Sequence, residues 1–176
     1  MYQKKSYGIQ KEGNRPRIRP EKEPLDMILE VASLLGVVAM VVITAVNFHG
    51  LPDQVPTHFN ASGLPNDYSS KGMIWILPGI AVIMFAGLVQ LNRFPYIFNF
   101  PVNITEENAE RLYRHACRSM RILNLLLVIM FLYLTWQSIA VAKGQSPGIG
   151  IWFVPVNAIV ILIFTIYMIV RMYRLK

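Results

Sequence analysis

The chain has 176 residues, 54% of them hydrophobic, with lysine and arginine exceeding aspartate and glutamate by 7 and a single cysteine. That size and apolarity fit one compact membrane domain rather than several soluble ones, and basic residues set beside apolar runs instead of on a polar face point away from nucleic acid. With only Cys117, an internal disulfide, a zinc knuckle and a redox pair are excluded, which leaves a buried or interfacial thiol.

Residues 1–24 are polar, rich in lysine, arginine, proline and glycine, and lack apolar periodicity, so they read as a mobile basic tail. The length of this basic region, and the lack of a small-residue cleavage site after the first apolar run, argue for a retained anchor over a cleaved signal peptide. Pro24 stands where a helix can begin, and Asp26 and Glu30 fall in its first turns, where carboxylates complement the positive helix end. No charged residue follows Glu30 until Asp53, enough to cross a hydrocarbon core of about 30 Å at about 1.5 Å per residue. Three more uncharged runs follow. The sequence therefore predicts an all-α, four-span membrane domain over 25–176, with spans near 27–48, 72–92, 122–142 and 149–170. Pro155 lies early in the fourth span, where a kink would free a carbonyl for Asn157 or a neighbouring helix.

Lysine and arginine set the orientation. They crowd the N-terminal tail, the 93–121 connection and the C-terminal tail, whereas the alternate loops carry only Lys71 and Lys143. The positive-inside rule then predicts cytoplasmic termini, a cytoplasmic 93–121 connection and an outward-facing 49–71 loop. Trp75, Trp136 and Trp152 agree, each falling near the outer interface.

Within the 93–121 connection, FPYIFNFPVNI is aromatic and broken by Pro95 and Pro101, and reads as an extended stretch along the headgroups. Thr105 is a fitting N-cap, and Ala109, Leu112, Tyr113, Ala116 and Met120 recur at helical spacing with Arg111, Arg114, His115 and Arg118 mostly off that stripe. This predicts a basic amphipathic helix lying in the interface, anchored by lipid electrostatics or, over 105–121, docking a cytoplasmic partner. Polar residues inside the spans are neutral, Asn124, Thr135 and Asn157 among them, and read as interhelical hydrogen bonds, with Asn157 set apart by its neighbour Pro155. Without an ionisable group at mid-membrane depth, a transporter or channel subunit ranks behind other readings.

The loop over residues 51–71, LPDQVPTHFNASGLPNDYSSK, lacks helix or strand periodicity. Pro52, Pro56 and Pro65, the rings of Phe59 and Tyr68 and a glycine turn at Asn60-Ala61-Ser62-Gly63 nonetheless restrict it, so it reads as an ordered loop. His58, Phe59, Asn60, Gly63, Asp67, Tyr68 and Lys71 form the candidate ligand-binding set for an extracellular ligand. His49, His58 and Asp67 are the residues from which a zinc site, and with it a metal-dependent hydrolase, would be built. The spacing matches no helical two-histidine motif, and no serine stands in a nucleophile elbow, so an enzyme is the alternative rather than the leading reading. The bland reading has His58 hydrogen-bonded within a turn, Asn66 and Asp67 in an Asx-turn, and Lys71 snorkelling at the end of span two.

The pattern Leu51-Pro52-x-x-Val55-Pro56-x-His58-Phe59-Asn60-x-x-Gly63-x-Pro65-x-x-Tyr68-x-x-Lys71 between two spans resembles the bacterial domain of unknown function 1648. The segment from Phe100 to Tyr113, FPVxITEENAxRxY, is similar to the stretch such proteins carry after their second span. The resemblance extends to the front part of the immunity proteins that protect producers of the sporulation-delaying peptide toxin. It implies a protein of the bacterial inner membrane whose outer loop meets an extracellular ligand such as a peptide toxin; with no catalytic motif in the sequence, the leading reading is non-enzymatic and without a cofactor.

Overall fold

The computed structural model describes residues 15–176 of the chain; the first part of the predicted mobile tail, with Lys4, Lys5 and Lys11, lies outside them. The described residues form α1 (Pro24–Phe48), β1 (Gln54–Phe59), β2 (Pro65–Ser70), α2 (Ile76–Leu91), α3 (Ala109–Ala142) and α4 (Phe153–Arg174), with short 3₁₀ turns at Lys71–Trp75 and Pro95–Ile97. Four helices, counting the 3₁₀ turn into α2, are long and apolar enough to cross a membrane, which makes the chain a multi-pass membrane protein. The all-α expectation needs correction, because the loop between α1 and α2 is an antiparallel β-hairpin.

Three apolar clusters run down the bundle. Leu51, Val55, Ile74 and Ile139 fill the hairpin end. Val37, Met40, Ala81 and Val128 fill the middle, where α1, α2 and α3 meet. Phe98, Phe100, Ile104, Leu112, Tyr113, Cys117 and Met172 fill the other end, where the described N-terminal residues and the end of α4 also lie. We call this the terminal end. Gly36 lets α1 approach α3, since a Cβ there would stand 2.5 Å from Val128 Cγ1. By contrast, α4 buries only Met172 and leaves most of its apolar surface for lipid.

Several local expectations are revised. The predicted interfacial helix and span three are one continuous 34-residue helix, about 51 Å long, so its basic segment does not lie in the membrane plane. It starts at Ala109 rather than after Thr105: Asn108 precedes it, its Oδ1 accepting from the Thr105 N–H at 2.8 Å and its Nδ2 donating to the Asn103 carbonyl at 3.0 Å. Because α4 begins at Phe153, Pro155 sits in the first turn, where a missing N–H costs no intrahelical bond. Asn157 donates to the Phe153 carbonyl at 2.8 Å.

The other span residues follow the same habit. Ser33, Thr44, Asn47 and Thr165 donate to the carbonyl four residues back in their own helices, not across helices. Asn124 Oδ1 and Thr135 Oγ1 are buried without a partner among the described residues.

Candidate functional site

The hairpin is built from its turn outward. Asn60 Oδ1 accepts from the Ser62 N–H at 2.9 Å and the Leu64 N–H at 3.1 Å, while the Gly63 N–H donates to the Asn60 carbonyl at 2.8 Å. Gly63 has φ +76°, a conformation open to glycine and strained for other residues. The strands then pair from Gln54 opposite Ser70 to Phe59 opposite Pro65, with irregularities between Pro56 and Phe59. Pro56 has no N–H to give to the ladder, which suits an interrupted register.

One face of the hairpin is anchored. Val55 is fully buried in the cluster with Leu51, Ile74 and Ile139. The tip is clamped to the connection between α3 and α4: the Ile149 N–H donates to the Gly63 carbonyl at 2.8 Å, and a Cβ on Gly63 would stand 2.5 Å from the Gly150 carbonyl oxygen. Tyr133 holds that connection in turn, its hydroxyl donating to the Ile149 carbonyl at 2.9 Å and accepting from Gln137 Nε2 at 3.1 Å, its ring stacked on Phe153 at 5.1 Å. At the hairpin's base the Lys71 N–H donates to the Asp53 carbonyl at 2.9 Å.

The outer part of the hairpin is open. Thr57, His58, Asn66, Asp67 and Tyr68 are exposed, and His58 Nδ1 lies 2.6 Å from Asn66 Oδ1 across the strands. Asp67 Oδ1 accepts from the Tyr68 N–H at 2.9 Å. Lys71 reaches Asp53 at 3.7 Å and lies over the Phe48 ring at 5.8 Å, so it folds back onto the protein. Phe59 and Asn60 are half-buried, with Asn60 spent on the turn. Of the seven candidate ligand-binding residues, His58, Asp67 and Tyr68 thus share the open hairpin, whereas Asn60, Gly63 and Lys71 shape and brace it. His49 caps the end of α1. The structure does not gather His49, His58 and Asp67 into one group; among the described residues no cluster of three or more His, Cys, Asp or Glu side chains is placed to hold a metal ion.

At the terminal end the structure brings together residues the sequence did not link. Glu23, Asp26 and Glu30 of α1 and its lead-in face Arg114, Arg118 and Arg121 of α3. Arg118 Nε donates to Asp26 Oδ1 at 2.9 Å and Arg118 also pairs with Glu23; Arg121 Nε donates to Glu30 Oε1 at 2.8 Å; Arg114 pairs with Glu23 and Glu110. Asp26 is 2% exposed and Arg121 7%, so the centre of this lattice is dry. Hydrogen bonds from Arg118 first, then Arg114, hold the Glu23 carboxyl below its ordinary range. Arg114 and Arg118, expected to be available to a partner or to lipid, are therefore engaged within the chain. The signal was legible: acids at 23, 26 and 30 and arginines at 114, 118 and 121 are spaced by three and four residues on parallel helices.

Residues 15–23, read as part of the mobile tail, are also held. Arg15 Nη1 donates to the Phe98 carbonyl at 2.6 Å and the Tyr96 carbonyl at 3.2 Å, and Arg17 lies over the Tyr96 ring. Cys117 is buried, its thiol 3.6 Å from the Asn92 carbonyl.

Fold and hairpin together define a four-helix, multi-pass membrane protein with a clamped β-hairpin joining its first two spans. Residues 35–82, from within α1 through the hairpin into α2, match the family described as Domain of unknown function (DUF1648), as the sequence pattern suggested. An "Uncharacterized protein" of the archaeon Archaeoglobus fulgidus is 29% identical over 90 residues, 45% of this chain and 49% of its own length. The chain thus spans about half the length of that relative. No solved structure matches.

Proposed function

We propose that the chain is a non-enzymatic inner-membrane protein whose hairpin faces outward, both termini being cytoplasmic, and recognises an extracellular ligand, a membrane-active peptide in an immunity or envelope-signalling role. One observation carries this reading: a backbone held from beneath and at its tip presents the exposed side chains of His58, Asn66, Asp67 and Tyr68. A fixed surface loses little conformational freedom on binding, and aromatic and imidazole groups supply contact area with polar handles. Basic residues concentrated at the terminal end support the orientation, and the resemblance of the loop to the front part of toxin immunity proteins supports the role.

The test compares cells producing wild type, His58→Ala, Tyr68→Ala or a neutral control, Gln145→Ala, at equal membrane levels, under challenge with a panel of membrane-lytic peptides. Wild type and the control should protect against at least one peptide, and both hairpin variants should lose protection. Protection unchanged in both hairpin variants would overturn the reading. Orientation is read separately, in a Cys117→Ser background, from labelling of Ser70→Cys but not Lys176→Cys by an impermeant maleimide.

A further inference from the structure

At the terminal end two cavities share the wall Asn99-Phe100-Pro101. The first, about 580 Å³, has a mostly apolar lining, with Val102 and Ile104 beside that wall, into which Arg15, Asn103, Asn108 and Lys176 bring polar groups and no acidic side chain enters. The second, about 530 Å³, is an apolar trough floored by Met120, Met168 and Met172 and edged by Leu91 and Ile169. Their depths differ in a telling way. Leu91, Met120 and Met168 each stand 16 residues from a tryptophan at the hairpin end (Trp75, Trp136 and Trp152), about 24 Å along a helix. Tryptophan favours the membrane interface, so the trough falls inside the far edge of a hydrocarbon core of about 30 Å. Tyr173 stands 21 residues from Trp152, about 32 Å, which sets the first cavity, with Arg15, at headgroup depth.

Charge agrees with depth. Arg15 donates only to backbone carbonyls, so no carboxylate among the described residues offsets its guanidinium. That guanidinium lies 5.7 Å from the centre of the Phe100 ring, and the Tyr113 ring packs against Phe100 at 5.5 Å between centroids. Arg15 Nε and Tyr113 Oη are both buried without a partner among the described residues. Methionine floors adapt to flexible apolar chains.

We propose that this two-part cleft seats one anionic phospholipid of the leaflet at the terminal end, its phosphate beside Arg15 and one acyl chain in the methionine trough. The site stands apart from the hairpin, at the opposite end of the bundle.

Native mass spectrometry of the full chain in detergent tests it, with dioleoyl phosphatidylglycerol and dioleoyl phosphatidylcholine as probes. Wild type should retain phosphatidylglycerol about fivefold better, as one guanidinium near an anionic headgroup provides. Arg15→Gln should abolish that preference, Met168→Trp should lower retention of both lipids by filling the trough, and Arg174→Gln, an exposed cation near the same end, should change neither. Equal retention of the two lipids by wild type would overturn the proposal. So would equal losses in Arg15→Gln and Arg174→Gln, the mark of diffuse surface electrostatics, or displacement of phosphatidylglycerol by inorganic phosphate, the mark of a site for free anion. Because Arg15→Gln also loosens the 96–98 stretch, the Met168→Trp result stands as the second check; retention unchanged there would equally overturn the trough.

Discussion

The two ends of the bundle are secured by different physics. The hairpin end relies on backbone hydrogen bonds, a glycine-to-glycine approach and a small apolar cluster around Val55. The terminal end relies on a lattice of three acids and three arginines laid over a larger aromatic cluster. Backbone contacts of the first kind are insensitive to salt and acid and fix position closely. Ion pairs of the second kind are strong where dry and weaken with protonation. A surface that must hold one shape is better served by the first kind, and a joint between helix ends by the second.

The sharpest way to break the comparison is to strip the arginine that bridges Glu23 and Asp26. Arg118→Ala leaves the buried Asp26 carboxylate with Arg121, 3.6 Å away, as its one charged partner, and should cost about 3 kcal/mol. Thermal unfolding in detergent measures this, and adding Asp26→Asn should return part of the loss because a neutral amide needs no counter-charge.

At the other end Gly63→Ala should cost about 2 kcal/mol, through the strained φ and the collision with Gly150, and should free the tip while leaving the terminal end intact. Tyr133→Phe removes the hydroxyl that holds the Ile149 carbonyl and should cost about 1 kcal/mol. Acid separates the ends most gently. The folded Glu23 carboxyl titrates below its ordinary 4.5, so its contribution is fully present above that value and is lost as pH falls through the lower folded value. Taking the protein from pH 7 to below 4.5 should therefore increase amide exchange around 109–121 and leave 54–70 unchanged, once exchange is corrected for its intrinsic pH dependence.

Much of this architecture was written plainly in the residues. Four uncharged runs pointed to the four long apolar helices, although the third begins at Ala109, well before its run, and Asn60 to Gly63 announced their turn. The hairpin around that turn was hidden because its strands, QVPTHF and PNDYSS, each carry a proline and neither alternates apolar with polar residues; it forms because Val55 and the tip have somewhere to dock. Likewise the basic stripe on α3 suggested an interfacial helix until its counter-charges on α1, some ninety residues earlier in the chain, were in view. Serine, threonine and asparagine in the spans announce polarity but not direction, and here those that donate turn back onto their own helices, while Asn47 Oδ1 also accepts from Lys143 at the end of α3. Of the candidate site, the residue types were legible, while the division between open and bracing residues depended on which side of the hairpin met the bundle.

The account turns on the hairpin being a fixed platform, and hydrogen exchange of the full chain in lipid nanodiscs tests that most directly. The prediction is that the paired amides of β1 and β2 are protected in wild type to a degree comparable with the helix ends beside them, and that Gly63→Ala speeds their exchange at least tenfold without altering α1 or α3. Hairpin amides that exchange in wild type as fast as an unstructured loop would contradict it.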